Sequence, residues 1–157
     1  MSTLDIQGFK SAFQGKVFEP ADAGYNDARR IWNASVDKHP RLIARCSGVA
    51  DVIAAVKFAR ANKLVTAIRG GGHNVGGRAL CDEGIVIDLS GMRSVYVDSE
   101  KQIVRVQGGA TLGDVDRETH VFGLAVPSGI VPKTGIGGLT LGGGVGWLVR
   151  KYGMTID

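Results

Sequence analysis

Short apolar runs alternate with a helix-spaced pattern from residue 41 onward. Residues 42–46 and 64–68 are short apolar runs typical of buried strands. Between them, Ser47 is predicted to cap a helix, with Asp51 on a solvent face. A strand, a helix and a strand in so short a stretch predict a βαβ unit, whose strands run parallel. The helix positions predicted to face the core are Val49, Val52, Ile53, Val56 and Ala59.

The pattern then changes to shorter elements. Residues 85–89 predict another strand, and residues 95–97 and 103–106, joined by a turn at 98–101, predict an antiparallel hairpin. Thr111 and Asp114 have the spacing of a helix start, so a helix is predicted to about His120, with Gly123 closing it. Residues 1–40 are predicted as helix and loop, with a helix between 4 and 13. The predicted fold class is α+β.

Composition limits the classes of protein that fit. The chain has 157 residues, 44% hydrophobic and 22% charged, which suits one globular domain or part of one. No apolar run approaches the ~20 residues that span a bilayer. Residues 1–5 lack a basic head followed by an apolar stretch, so no secretory signal is expected and the cytoplasm is the expected location.

Charge and cysteine content add little chemistry. The net charge is +4, but the Lys and Arg residues are scattered and only 6% of residues are aromatic, so a nucleic-acid partner is not predicted. Cys46 and Cys81 match no CxxC or zinc spacing and are predicted to be buried free thiols. The three histidines have no metal-ligand spacing, so no metal is predicted.

Glycine is the one anomaly. The chain has 24 glycines, about twice the usual share of ~7%. Five of them lie between positions 70 and 77, and seven lie between 135 and 146. Such clusters occur where backbone N–H groups approach an anion closely or where φ is positive.

Named phosphate and hydrolase motifs do not account for these clusters. The sequence has no GxxxxGK[ST], no strict GxGxxG and no GxSxG. The first cluster also leads into a strand, where a Rossmann turn requires a helix. A dinucleotide would therefore be held in a non-Rossmann way.

His73 is the histidine that lies inside a glycine cluster. It has two interpretations. One is a loop histidine hydrogen-bonded to backbone; the other is a nucleophile, because a neutral imidazole nitrogen can add to the activated 8α-methyl carbon of an oxidised flavin.

Several segments, in this order and spacing, resemble one family. They are residues 69–74 (Arg-Gly-Gly-Gly-His-Asn), 84–89, 108–110, 132–138, 141–146 and 150–153. Together they resemble the FAD-binding domain of the p-cresol methylhydroxylase and vanillyl-alcohol oxidase fold. The similarity is greatest to the berberine-bridge-like branch, which includes 6-hydroxynicotine oxidases. It runs from about residue 41 to 157.

The resemblance implies a fold and a cofactor. The expected fold is two small α/β subdomains with a βαβ unit and an antiparallel sheet, and residues 1–157 would be an FAD-binding domain that is incomplete at its C-terminus and lacks the substrate domain. The first cluster would wrap the FAD pyrophosphate, His73 would hold the 8α carbon, and the second cluster would lie along the flavin. The cofactor-binding residues implied are Arg69, Gly70, Gly71, Gly72, His73, Asn74, Gly76, Gly77, Ser128, Gly129, Gly135, Gly137, Gly138, Leu139, Gly142, Gly143, Val145 and Gly146.

The implied activity is that of an oxidase. The flavin would accept a hydride from a small alcohol, sugar or amine and pass electrons to O2. The catalytic base is expected outside these residues. Bicovalent members carry a cysteine where this chain has Val131, so a single covalent link is expected. Two alternatives stay open: a non-catalytic flavin- or nucleotide-binding module, and a structural domain whose glycines only shape turns.

Overall fold

The computed structural model describes residues 4–157 and divides into two compact units. Unit 1 comprises the described part of Met1–Arg69 together with Asn74–Gly91, and unit 2 comprises Gly70–His73 and Met92–Asp157. The segment Gly70–His73, which contains the first glycine run and the histidine, thus belongs with the second glycine cluster.

A four-stranded sheet organises unit 1. Its strands are β1 (Lys16–Phe18), β2 (Leu42–Arg45), β3 (Thr66–Arg69) and β4 (Ile85–Asp88), in the order β1-β2-β4-β3. Strands β2 and β3 each pair parallel with β4, and β1 pairs antiparallel with β2. The parallel direction predicted for the two βαβ strands is confirmed, with β4 inserted between them.

The two central strands form the core of unit 1. Leu42, Ile43, Ile85 and Val86 are completely inaccessible to solvent. On one side Phe18, Tyr25, Leu80 and Cys81 join Ile43 and Val86 in one apolar cluster. Strands buried on both faces carry continuous apolar runs, which explains why these two were readable from the sequence.

Helix α3 (Val49–Ala61) follows β2 as predicted, but of the residues predicted to face the core only Ala59 is buried. Its buried residues are Asp51, Ala55 and Ala59, whereas Val49 and Ile53 are largely exposed. The reason is Asp51, whose carboxylate accepts hydrogen bonds from the amides of Gln14, Gly15 and Ser47 at 2.9 Å. These bonds turn the acidic face of the helix inward.

The cap predicted at Ser47 is also wrong. Gly48 is the N-cap residue and makes no side-chain cap bond. The Ser47 hydroxyl instead donates to Asp51 at 2.7 Å. Burial alone would raise the pKa of Asp51, but the hydrogen bonds from Ser47, Gln14 and Gly15 outweigh it and hold the pKa below its ordinary value.

The first forty residues contain more than helix and loop. Helix α1 (Ile6–Ser11) lies inside the predicted helical stretch, and a short helix α2 (Tyr25–Ala28) follows. Strand β1 was not predicted. It has three residues and pairs with β2, which lies far along the chain, so its existence depends on a partner that the local sequence does not show. Residues 1–3, part of the stretch expected to lack a secretory signal, lie outside the described residues.

Unit 2 contains the predicted hairpin and the predicted capped helix. Strands β5 (Val95–Asp98) and β6 (Ile103–Val106) pair antiparallel. Helix α4 (Leu112–His120) begins with a capping box between Thr111 and Asp114, and Gly123 at φ 66° closes it. These local predictions are confirmed.

The second glycine cluster contains helix that the sequence did not predict. Helix α5 (Ile136–Leu141) begins after Gly135, and a short helix α6 (Val149–Tyr152) follows. Ile136 packs with Ala110, Leu112 and Val115 in the core of unit 2. Tertiary burial of Ile136 thus stabilises a helix whose two internal glycines disfavour it.

Two further features concern the cysteines and the lengths of the helices. Cys46 and Cys81 are buried free thiols, as predicted. None of the helices in residues 4–157 is long and apolar enough to cross a membrane.

Candidate functional site

The strand that leads into the first glycine cluster ends in a buried ion pair. The Nη2 of Arg69 donates to Asp88 at 2.5 Å and its Nε donates at 3.2 Å, while Nη1 donates to the carbonyl of Ala28. Asp88 is fully buried and also accepts from Nε of Arg45 at 2.9 Å. This network fixes the carboxyl ends of β3 and β4, where Gly70 follows.

The two arginines of this network keep the Asp88 carboxylate ionised. Burial alone would raise the pKa of Asp88, but hydrogen bonding and the charge of Arg69 outweigh burial and hold the pKa below its ordinary value. Arg69 was predicted to bind the cofactor. In the structure its guanidinium is bound to Asp88 and to the carbonyl of Ala28, all within unit 1.

Within unit 2, the first three glycines of the first cluster lie against the second cluster. A Cβ atom added at Gly71 would lie 2.6 Å from the Cα of Gly135, and one added at Gly135 would lie 2.8 Å from the Cα of Gly71. Real Cβ atoms do not approach other atoms so closely, so each position requires glycine. The backbones of two segments 64 residues apart therefore lie directly against each other.

Gly108 is a third member of this contact. A Cβ at Gly70 would lie 2.7 Å from the Gly108 carbonyl oxygen, and a Cβ at Gly137 would lie 3.1 Å from it. Gly108 was not among the predicted site residues, although the pair Gly108-Gly109 belongs to the motifs behind the resemblance. The sequence signal that could have identified Gly108 is a pair of glycines between a predicted hairpin and a predicted capped helix.

The first glycine run presents backbone donors. Within residues 4–157, the amides of Gly70, Gly71 and Gly72 donate to no hydrogen-bond acceptor. Gly72 adopts φ 65°, a conformation that favours glycine. Three successive N–H groups on a chain without Cβ atoms can converge on an anion such as a diphosphate.

His73 follows these donors directly and belongs to unit 2. Its side chain is half-buried, with Nε2 shielded from solvent. His73 is therefore the residue that directly follows the three amides in the chain.

The next predicted residues serve a turn in unit 1. The Oδ1 of Asn74 accepts from the amide of Arg78 at 3.0 Å, and the carbonyl of Asn74 accepts from Gly77 at 3.1 Å. Gly77 has φ 68° and packs against Val36. Gly76 is exposed, and a Cβ there would meet only Asn74 at 3.5 Å.

Much of the second cluster packs against unit 2 itself. A Cβ at Gly146 would lie 2.8 Å from the carbonyl carbon of Ser128, and a Cβ at Gly129 would lie 2.5 Å from Leu139. Gly143 has φ 111°, and its carbonyl accepts from Ile156 at 3.1 Å. These positions need glycine for the fold of the loop.

The remaining predicted positions lie on or near α5. Leu139 packs against the core cluster of unit 2, and Gly142 is the C-cap of the helix. Gly138 and Val145 are exposed. Val131 takes part in a turn, where its carbonyl accepts from the amide of Thr134 at 3.0 Å.

Possible metal ligands and other acids and bases also lie among the described residues. Within the described part of the chain, no group of three His, Cys, Asp or Glu residues is placed to hold a metal ion. Tyr25, a conceivable acid or base, donates its hydroxyl to the Pro40 carbonyl at 2.7 Å and is buried. The arrangement offers an anion three backbone donors.

Known proteins are similar to this chain in sequence and in fold. A family model described as an FAD binding domain matches residues 40–157. (R)-6-Hydroxynicotine oxidase of Paenarthrobacter nicotinovorans is 42% identical over 146 residues, covering 93% of this chain and 32% of that protein. The crystal structure of 6-hydroxy-D-nicotine oxidase from Arthrobacter nicotinovorans matches with a TM-score of 0.89 at 43% identity, covering 91% of this chain and 32% of that one.

A more distant structure gives the same match. The BBE-like 1 protein of Physcomitrella patens has a TM-score of 0.89 at 27% identity, covering 99% of this chain and 34% of that one. The chain thus spans about a third of the length of these relatives.

Proposed function

The chain belongs to the FAD binding domain family of the FAD-linked oxidoreductases, and from that premise we propose how its residues hold the cofactor. The diphosphate of FAD binds the amides of Gly70, Gly71 and Gly72. The flavin lies along the second cluster, between Gly135 and Gly146. The observation that carries this proposal is the direct contact between Gly71 and Gly135, which lie in the same unit.

The residues present fit a dinucleotide for two physical reasons. Three amides without a protein acceptor can bind the negative charge that a diphosphate brings. The glycines on either side keep side chains away from that charge, so the backbone can approach it closely.

We further propose a covalent bond between His73 and the 8α carbon of the flavin. Support comes from the position of His73, which directly follows the three amides, and from the nucleophilicity of a neutral imidazole. Val131 has no thiol and cannot form a second link, so the attachment would be single.

The proposed activity of the whole protein is that of an oxidase. When bound, FAD supplies hydride acceptance, which the protein directs by binding and orientation. The substrate would be a small alcohol, sugar or amine, and O2 would take the electrons. The relatives' names, among them 6-hydroxynicotine oxidase, support this class. The catalytic base is proposed to lie outside residues 1–157, and the cytoplasmic location stays a prediction.

The decisive experiment is to denature the purified protein, filter it and measure whether flavin absorbance stays with the polypeptide. We expect retention, with mass spectrometry locating the adduct on the peptide that contains His73. His73→Ala should release the flavin, whereas His120→Ala, at the exposed end of α4, should retain it.

Other outcomes separate the alternatives. Flavin that washes out of the wild-type protein would remove the covalent bond but leave non-covalent FAD binding. A yellow protein that oxidises no alcohol, sugar or amine would favour the non-catalytic module. A colourless protein whose unfolding temperature does not rise with added FAD would favour the structural domain.

A further inference from the structure

Arg69, the residue before the first glycine run, is held at three points. Its guanidinium donates to the Asp88 carboxylate through Nε at 3.2 Å and through Nη2 at 2.5 Å. A third nitrogen, Nη1, donates to the carbonyl of Ala28. The backbone carbonyl of Arg69 accepts from the amide of Leu89 at 2.8 Å. Arg69 and Asp88 are both buried, so their bonds form in a low-dielectric interior, where they are strong.

The bond to the Arg69 carbonyl also sets the direction of the next amide. The peptide bond between Arg69 and Gly70 is trans, and a peptide unit is planar, so its C=O and N–H point in opposite directions. Because the Arg69 carbonyl points to Leu89, which directly follows β4, the Gly70 N–H points away from β4. Strand β3 is the last in the sheet order, so this N–H meets no neighbouring strand within residues 4–157. It is the first of the three amides proposed to bind the diphosphate.

Asp88 is the fixed point to which Arg69 is attached. It is fully buried, and besides Arg69 it binds the Nε of Arg45 at 2.9 Å and the amide of Ser90 at 3.0 Å. Arg45 is the last residue of β2, and Ser90 follows β4. The carboxylate is therefore held by groups from two strands, and it holds the guanidinium at the end of the third.

We propose that Asp88 is a positioning residue for the diphosphate: it holds Arg69, and through Arg69 it fixes the direction of the Gly70 N–H. The inference rests on the proposed function and adds to it a residue that acts without touching the ligand. Without the carboxylate the guanidinium loses two of its hydrogen bonds. The peptide plane between Arg69 and Gly70 can then rotate, and the first amide no longer points in one direction.

The test is Asp88→Asn, in which the side chain keeps its size and loses its charge. FAD binding is measured in a His73→Ala parent, so that the flavin stays exchangeable. We expect FAD affinity to fall about tenfold, the effect of losing one hydrogen bond to a charged group. Removing a negative charge would by itself favour an anionic ligand. Unchanged or tighter binding of FAD would therefore overturn the inference.

A measurement without ligand tests the positioning directly. Nuclear magnetic resonance relaxation of ¹⁵N gives an order parameter for the Gly70 amide. We expect a value of about 0.85, typical of rigid backbone, in the His73→Ala parent, and a value below about 0.6 after Asp88→Asn. An order parameter that is the same in both proteins would contradict the positioning role, whatever the affinity for FAD.

Asp51→Asn is the matched control. Asp51 is also a buried carboxylate of unit 1, but its bonds come from Ser47 and from the amides of Gln14 and Gly15. We expect both substitutions to lower the unfolding temperature, and Asp51→Asn to leave FAD affinity and the Gly70 order parameter unchanged. Equal losses in the two variants would mean that general destabilisation weakens binding, and the positioning role of Asp88 would be wrong.

Arg69→Lys is a second variant, which carries the test if Asp88→Asn does not fold. A lysine keeps a positive charge beside Asp88 but lacks the planar fork that reaches Asp88 and Ala28 together. We expect a loss of FAD affinity in the same direction and of smaller size. Binding as tight as in the parent would overturn the inference and leave the proposed function intact. If the His73→Ala parent itself binds no FAD, the proposed function and the inference both fail.

Discussion

The two units use glycine and charge in different ways. In unit 1, the apolar residues of central strands β2 and β4 are buried, and the Arg69–Asp88 ion pair joins the carboxyl ends of β3 and β4. In unit 2, a two-stranded sheet and a small apolar cluster accompany a backbone contact between Gly71 and Gly135, and Trp147 is 87% exposed. The comparison teaches that the centre of unit 1 is specified by its side chains, whereas the Gly71–Gly135 contact in unit 2 is specified by the absence of side chains.

The largest effect should come from removing the central charge of unit 1. Asp88→Ala leaves Arg69 buried without its carboxylate, and breaking such a pair costs about 3–5 kcal/mol of unfolding free energy. Urea unfolding followed by circular dichroism measures the cost. The control is Asp98→Ala, which removes a partly exposed ion pair with Lys101 and a hydrogen bond from the Lys101 amide and should cost no more than about 1 kcal/mol. Equal costs would contradict the comparison.

In unit 2, adding a methyl group at the Gly71–Gly135 contact should have the next largest effect. Gly135→Ala places a Cβ against the backbone of Gly71 and should cost about 1–3 kcal/mol of unfolding free energy, since neither backbone can yield freely. FAD binding should be lost as well if the contact forms the cofactor site. The measurements are urea unfolding and flavin retention. A stable variant that still binds FAD would show that the contact is not required.

The capping box of α4 should have a smaller, pH-dependent effect. Hydrogen bonds from Arg93 lower the pKa of Asp114 to about 2, and Asp114 also accepts from Thr111. Asp114→Asn should cost about 1 kcal/mol at pH 7. Because the pKa in the folded state is depressed, this contribution is complete above the unfolded value of about 3.9 and disappears as the pH falls towards 2.

The pH series supplies its own check. Unfolding free energies of the wild-type and Asp114→Asn proteins, measured between pH 7 and pH 2, should differ by a constant amount down to about pH 4 and converge as the pH falls from there towards 2. A difference that stays constant across this range would mean that ionisation of Asp114 does not contribute.

The smallest effect should come from the helix face that was predicted incorrectly. Ile53→Ala removes an exposed side chain from α3 and should change the unfolding free energy by no more than about 0.5 kcal/mol. Ala55→Leu, on the fully buried face, should cost about 1–3 kcal/mol through overpacking. If thermal unfolding shows a larger loss for Ile53→Ala than for Ala55→Leu, the helix face predicted from apolar spacing is the buried one.

Local signals in the sequence were sufficient for part of the fold. The Thr111–Asp114 capping box acts within one turn of helix, and the β5–β6 hairpin joins neighbouring strands, so both could be predicted. The non-Rossmann α+β fold expected from the family resemblance is confirmed by the match to solved structures. The encounter of the two glycine clusters was a prediction from the same resemblance, and the contact of Gly71 with Gly135 agrees with it.

The remaining errors share a physical cause, which is dependence on distant partners. Strand β1 exists because β2 pairs with it, and the face of α3 is set by amides of Gln14 and Gly15 that bind Asp51. Helix α5 forms despite two internal glycines because Ile136 is buried. None of these partners is visible in a local window. The roles of individual residues in cofactor binding stay predictions.

The buried cysteines have a practical consequence for studying this protein. Burial raises the pKa of the Cys46 thiol to about 12, with the Asp51 and Asp88 carboxylates adding to the effect, and burial also raises the pKa of Cys81. Almost no thiolate exists at neutral pH, and thiolate is the reactive form. A cysteine introduced at an exposed position could therefore be labelled selectively with a maleimide dye or spin label, without first replacing either native residue.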